Sequence, residues 1–334
     1  MAGVDIFAER ASFSRIRIEE LRNRLNARQE TKQFEDLAIF CAGSYAREEA
    51  SKYSDIDLFF IYSAGAQHGV RSSKISELRL FSAVIDIAEA MGFPAFSNDG
   101  QYLYTLACDD VLEHMGSPKD DGLNHFTLRM LMLLESKCVV GDDTFSDVQQ
   151  SIISAYYRDY PDHQASFEPW FLINDICRFW KTLLLNYEHK RNQDTGDIIQ
   201  KNKQKVKNFK LKYSRMTTCF ATVAALASLP AAPSEGQIYE LVQKTPQQRL
   251  RSVGEAMPEV ANRVENVLDQ YAWFLEQTGQ TEEQLRSGFE DKQRRVERFE
   301  RANKYGDAMF DLLSSIGDAK QFGDRNRLLR YLVI

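Results

Sequence analysis

Asp55 and Asp57 stand two residues apart at the head of an apolar run, Asp55-Ile-Asp57-Leu-Phe-Phe-Ile, which reads as a buried strand. Residues i and i+2 of a strand point to one face, so both carboxylates are expected to emerge together at a strand end. Two like charges held that close repel. A divalent metal accounts for such a pair, because Mg²⁺ takes one or two protein carboxylates and completes its shell with water and phosphate oxygens. Upstream, Gly43-Ser44 closes a second apolar segment, Leu37–Ala42, and ten residues separate Ser44 from Asp55. A glycine at such a turn lets the backbone approach a ligand closely. The neighbouring N–H groups and the Ser44 hydroxyl can then hold phosphate oxygens. A turn that grips phosphates and a carboxylate pair that grips Mg²⁺ or Mn²⁺ together suit an NTP with its metal.

Gly-Ser, a ten-residue gap and Asp-Ile-Asp-Leu resemble the signature of the polymerase-β-like nucleotidyltransferase superfamily. The text Gly43-Ser-Tyr-Ala-Arg47-Glu-Glu-Ala-Ser-Lys-Tyr-Ser54-Asp55-Ile-Asp57-Leu is most similar to its bacterial protein-modifying branch, the uridylyltransferases and adenylyltransferases of nitrogen control. A weaker resemblance downstream is to bacterial nucleotidyltransferase-like proteins with a helical C-terminal half. The resemblance implies Asp55 and Asp57 as catalytic metal ligands, and Gly43, Ser44 and Arg47 on the nucleotide. It also implies an NTP substrate and pyrophosphate release. The family normally adds a third carboxylate from a later strand. The strand core that follows, Tyr102–Ala107, contains no acid, and Asp99 before it is the favoured third catalytic carboxylate. Asn98-Asp99-Gly100 is equally a turn signal. Asp109 and Asp110 follow the strand, and Asp109 could cap the next helix. Without a third acid, the expectation is nucleotide binding without transfer.

The elements that must position these groups form an α+β chain: a small mixed-sheet nucleotidyltransferase domain followed by an all-helical domain. The expected division is residues 1–115, with an amphipathic helix over 5–34, and residues 116–334. Ser72–Met91 reads as a helix ended by Gly92-Phe-Pro94. From about residue 111 onward the text reads as helical. Later helices are expected at Phe171–Glu188, Met216–Ala227, 237–252, 256–278, 281–302 and 304–316.

At 334 residues the chain can bury a large core. A net charge of −6 offers no global field for nucleic acid. No apolar run reaches bilayer length, and the opening Met-Ala-Gly-Val-Asp lacks the regions of a signal peptide. Five cysteines at 41, 108, 138, 177 and 219 form no Cys-x-x-Cys, which argues for a reducing compartment and against structural zinc. A cytoplasmic location without membrane partners is therefore expected.

Against this acidic background, residues 201–215 carry Lys201, Lys203, Lys205, Lys207, Lys210, Lys212 and Arg215 with no acid. Lys203, Lys207 and Lys210 share one helical face. That face suits a solvated surface, a triphosphate or RNA. Lys210, Lys212, Ser214 and Arg215 are the phosphate candidates, since they lead into an apolar helix. On another apolar helix Asn174, Asp175, Arg178 and Lys181 form a polar set, read as a structural Asp175–Arg178 pair or as ligand contacts. The acceptor is expected to be a protein hydroxyl. Alternatives are an RNA or tRNA end, synthesis of a nucleotide messenger, and a non-catalytic nucleotide sensor or antitoxin-like partner.

Overall fold

The computed structural model describes residues 5–65, 73–96, 100, 103–164, 166–192, 197–322 and 325–328. The chain divides into two compact units, Met1–Arg158 and Asp159–Ile334.

The first unit runs α1 (Ile6–Asn26), α2 (Gln29–Lys32), β1 (Leu37–Ala42), β2 (Asp57–Tyr62), α3 (Lys74–Ala90), β3 (Thr105–Ala107), α4 (Cys108–Glu113), α5 (Pro118–Gly122), α6 (His125–Leu134), β4 (Ser136–Val140) and α7 (Asp142–Tyr156). Its four strands lie in the order β3-β2-β1-β4. β1 pairs antiparallel with both β2 and β4, and β2 pairs parallel with β3. The two central strands are apolar without interruption because both faces are covered. On one face Leu37, Ile39 and Cys41 of β1 and Ile56, Leu58 and Phe60 join Ile18, Leu21 and Leu25 of α1 and Leu80, Val84 and Ile87 of α3. On the other, Phe40 stacks on Phe59 at 5.3 Å and meets Phe145 of α7 at 5.7 Å.

The expected boundary near residue 115 falls inside this compact unit, because β4 completes the sheet beyond it. The reading of everything after about 111 as helical is corrected at Ser136–Val140. Those five residues follow the apolar α6 directly, with no Gly or Pro between, so the sequence shows no punctuation there.

The second unit is helical: α8 (Tyr160–His163), α9 (Trp170–Arg191), α10 (Ile198–Lys210), a π-turn at Leu211–Arg215, α11 (Met216–Ser228), α12 (Glu235–Val242), α13 (Pro246–Ala256), α14 (Ala261–Gln277), α15 (Glu282–Glu290) and α16 (Lys292–Ala319). Two-residue strands β5 (Gln321–Phe322) and β6 (Arg325–Asn326) follow. Capping boxes start three helices: Ser234 with Gln237, Thr245 with Gln248 and Thr281 with Gln284. The break expected near residue 303 is absent. It falls at Asp291, whose side chain accepts from the Arg294 N–H and starts one continuous helix, α16.

Buried cations tie this unit together. The Arg249 guanidinium donates to the Leu241 and Val242 carbonyls at the end of α12 and to Thr222 Oγ1 of α11. Arg327 pairs with Glu168 at 2.6 Å and donates to the Leu229 carbonyl. In α9, Arg178 donates to Asp175 at 3.3 Å. Among the described residues no helix is long and apolar enough to cross a membrane.

Candidate functional site

Gly43 directly follows β1 and adopts φ +76°, a left-handed conformation that glycine takes without steric cost. The antiparallel register sets Ala42 opposite Asp57. The turn after one strand and the carboxylate at the head of the next therefore meet at the same end of the sheet. A β-carbon on Gly43 would stand 3.6 Å from Asp57 Oδ2, in ordinary contact. Asp57 is half-buried and Asp55 exposed. Asp55 lies just before β2 rather than within it, while Ile56 between them is buried in the core.

The turn from Gly43 to Ala50 is braced from several directions. Within it, the Arg47 N–H donates to the Gly43 carbonyl at 3.0 Å and the Glu49 N–H to the Ser44 carbonyl at 2.8 Å. From α1, Ser14 Oγ accepts the Ala50 N–H at 3.1 Å and donates to the Arg10 carbonyl at 2.7 Å. Arg15 forks both carboxylate oxygens of Glu48, at 3.0 and 2.7 Å. Glu48 itself sits at φ +60°. Beneath the turn Arg47 is buried and donates to Glu49 at 2.7 Å and to Glu135, the residue preceding β4. Arg47, expected to touch nucleotide, is thus placed in a buried ion-pair network holding the turn to the sheet. The partner Glu135 lies 88 residues away in sequence, and no local signal announces it.

Ser44 is half-buried, and neither its N–H nor its hydroxyl has a hydrogen-bond partner among the described residues. A rigid turn presenting a spare N–H and hydroxyl can receive phosphate oxygens. Cys41, one residue before Ala42, is no rival nucleophile, because burial pushes its thiol up to about 12.

The donor set beside the turn, two carboxylates at an open strand end, fits a hard divalent cation that draws further ligands from water and phosphate. Among the described residues no cluster of three or more His, Cys, Asp or Glu is arranged to hold a metal ion. Asp99 lies outside the described residues. Asp109 is in the first turn of α4, where its carboxylate accepts the Gly65 N–H at 2.9 Å.

Lys210 and Ser214 belong to the helical unit. Lys210 is exposed at the end of α10. Ser214 is buried in the π-turn, with the Tyr271 hydroxyl 3.5 Å from its Oγ. Lys203, Lys207 and Lys210 do lie on one helix, α10. Burial, then the adjacent charges of Lys190 and Lys203, hold the Lys207 ammonium below its ordinary pKa.

Residues 18–104 match the family model described as nucleotidyltransferase domain. That span includes the Gly43–Ser44 turn and both aspartates. The fold is α+β: a small mixed sheet in the region that includes this match, followed by a mostly helical region. No curated protein and no solved structure shows significant similarity to the chain.

Proposed function

We propose that the first unit binds an NTP and transfers its NMP moiety to a macromolecular acceptor, in the first instance a protein hydroxyl. The observation that carries this reading is the meeting of Gly43 and Asp57 at one sheet end, inside the segment that matches nucleotidyltransferase domains. The Ser44 N–H and hydroxyl would take phosphate oxygens, and the braced turn would orient the triphosphate without reorganising. Asp55 and Asp57 would hold Mg²⁺ or Mn²⁺, which when bound neutralises phosphate charge. The acceptor oxygen then forms a bond to the α-phosphorus. The bond from that phosphorus to the bridging oxygen breaks, and pyrophosphate leaves with the electron pair. Asp99 is the proposed carboxylate for the acceptor's proton.

A second reading has an RNA acceptor. It is favoured by Lys190, Lys203, Lys207 and Lys210, whose mutual repulsion is felt at Lys207 and would be relieved by a polyanion.

Incubation of the chain with each α-³²P-labelled NTP and Mg²⁺ in cell lysate tests both. Label in a protein fraction that survives RNase, and is absent with Asp55→Ala/Asp57→Ala, is the expected result. Label in RNA, weakened by Lys→Glu changes at 203, 207 and 210, selects the second reading. No label in any fraction contradicts transfer.

A further inference from the structure

Within the helical unit, a cavity of about 390 Å³ is lined by Tyr213, Asn266, Gln270, Trp273, Arg301 and Lys304. Asn266, Gln270 and Trp273 follow i, i+4, i+7 spacing along α14, and Arg301 and Lys304 follow i, i+3 spacing along α16. The third wall comes from the π-turn, through Tyr213. Single π-turns of this kind occur mostly where a helix must re-aim a side chain for function.

Two features distinguish this cavity from a packing gap. The first is charge: Arg301 and Lys304 line it and no acid does. Glu297 lies 3.5 Å from the Arg301 Nε, but that carboxylate is well exposed, so it offsets the guanidinium only weakly. The second is Tyr213. Its side chain is fully buried, stacked on Phe274 and Tyr305 with ring centres 4.7 and 4.5 Å away. The neighbouring Tyr305 hydroxyl pairs with Thr217 Oγ1 at 2.5 Å, and Tyr271 reaches Ser214. Tyr213 lines the cavity, and burial keeps its phenol neutral.

We propose that this cavity is a second ligand site, for a nucleoside mono- or diphosphate. Its volume lies in the range of small-molecule pockets. The Arg301 guanidinium already lies over the Trp273 ring, 4.6 Å from its centre, and a planar base can extend that stack. The Asn266 and Gln270 carboxamides, joined by a bond from Gln270 Nε2 to Asn266 Oδ1 at 3.1 Å, keep a further donor and acceptor for a base edge. Lys304, one turn from Arg301, supplies charge for phosphate. The site lies wholly in the second unit and does not depend on NMP transfer by the first.

Calorimetric titration of the full chain carrying Asp55→Ala/Asp57→Ala tests the site with the first unit silenced. AMP, ADP, GMP, GDP and inorganic phosphate are the probes. A nucleotide should bind at one per chain, and adding Arg301→Ala/Lys304→Ala should weaken it about tenfold or more. Both residues are exposed, so the melting temperature should not move. The site is overturned if no nucleotide binds, if phosphate alone binds as tightly as the nucleotide, or if Arg301→Ala/Lys304→Ala leaves the affinity unchanged.

Discussion

Gly43, in the turn after β1, lies beside Asp57 at the head of β2: a β-carbon at position 43 would stand 3.6 Å from Asp57 Oδ2. The turn's left-handed backbone at position 43 favours a residue without a side chain. Gly43→Ala should therefore act mainly through backbone strain, since the new methyl meets Asp57 only in ordinary contact. The expected cost is about 1–2 kcal/mol of stability, with weaker NTP binding. Urea unfolding and nucleotide titration of the variant check this. An alanine chain as stable as the parent would show that the turn tolerates a side chain.

The Arg47 guanidinium lies between two buried carboxylates, Glu49 and Glu135. Arg47→Met removes the cation that pairs with both of these buried acids. The expected loss is about 3–5 kcal/mol. Arg47→Met/Glu135→Leu should regain part of it, because an apolar pair then replaces an uncompensated charge. Chemical denaturation of both variants measures the difference. A single variant within about 0.5 kcal/mol of the parent would remove the brace from the account.

His125 is buried, and its ring stacks on that of His114 with centroids 5.9 Å apart. Burial, and then the His114 charge, hold its pKa below the ordinary 6.5; Asp110 and Asp120 pull the other way, and Arg129 adds to the depression. The unfolded chain therefore takes up a proton more readily than the folded one. Stability should fall as pH drops through 6.5, and His125→Phe should flatten that dependence. Urea midpoints at about pH 7.5 and about pH 5.5 give the test. Parallel behaviour of parent and variant would assign the acid sensitivity elsewhere.

The parts of this molecule that sequence discloses are those fixed by local chemistry. Leu37–Ala42 and Asp57–Tyr62 are strands because both of their faces are covered, and their apolar runs say so. Gly43 marks its own turn. What depends on distant partners is silent. Ser136–Val140 pairs with β1 across nearly a hundred residues, and its short text, containing Lys137, continues an apolar helix without a break. Arg47 reads as a ligand contact, and nothing near it in sequence announces the ion pair with Glu135. Asp55 reads as sharing a strand with Asp57, but the pairing with β1 begins only at Asp57. The π-turn at Leu211–Arg215 has helical text throughout, so neither Tyr213 nor the cavity it enters is foreshadowed.

The most direct test of nucleotidyl transfer compares an NTP labelled at the α-phosphorus with one labelled at the γ-phosphorus. Each would be incubated with Mg²⁺, lysate and either the parent chain or Asp57→Asn. The account predicts that α-label is retained on a macromolecule and γ-label appears only in pyrophosphate, with both signals lost in Asp57→Asn while the melting temperature holds. Retention of γ-label, or full α-label transfer by Asp57→Asn, would contradict it.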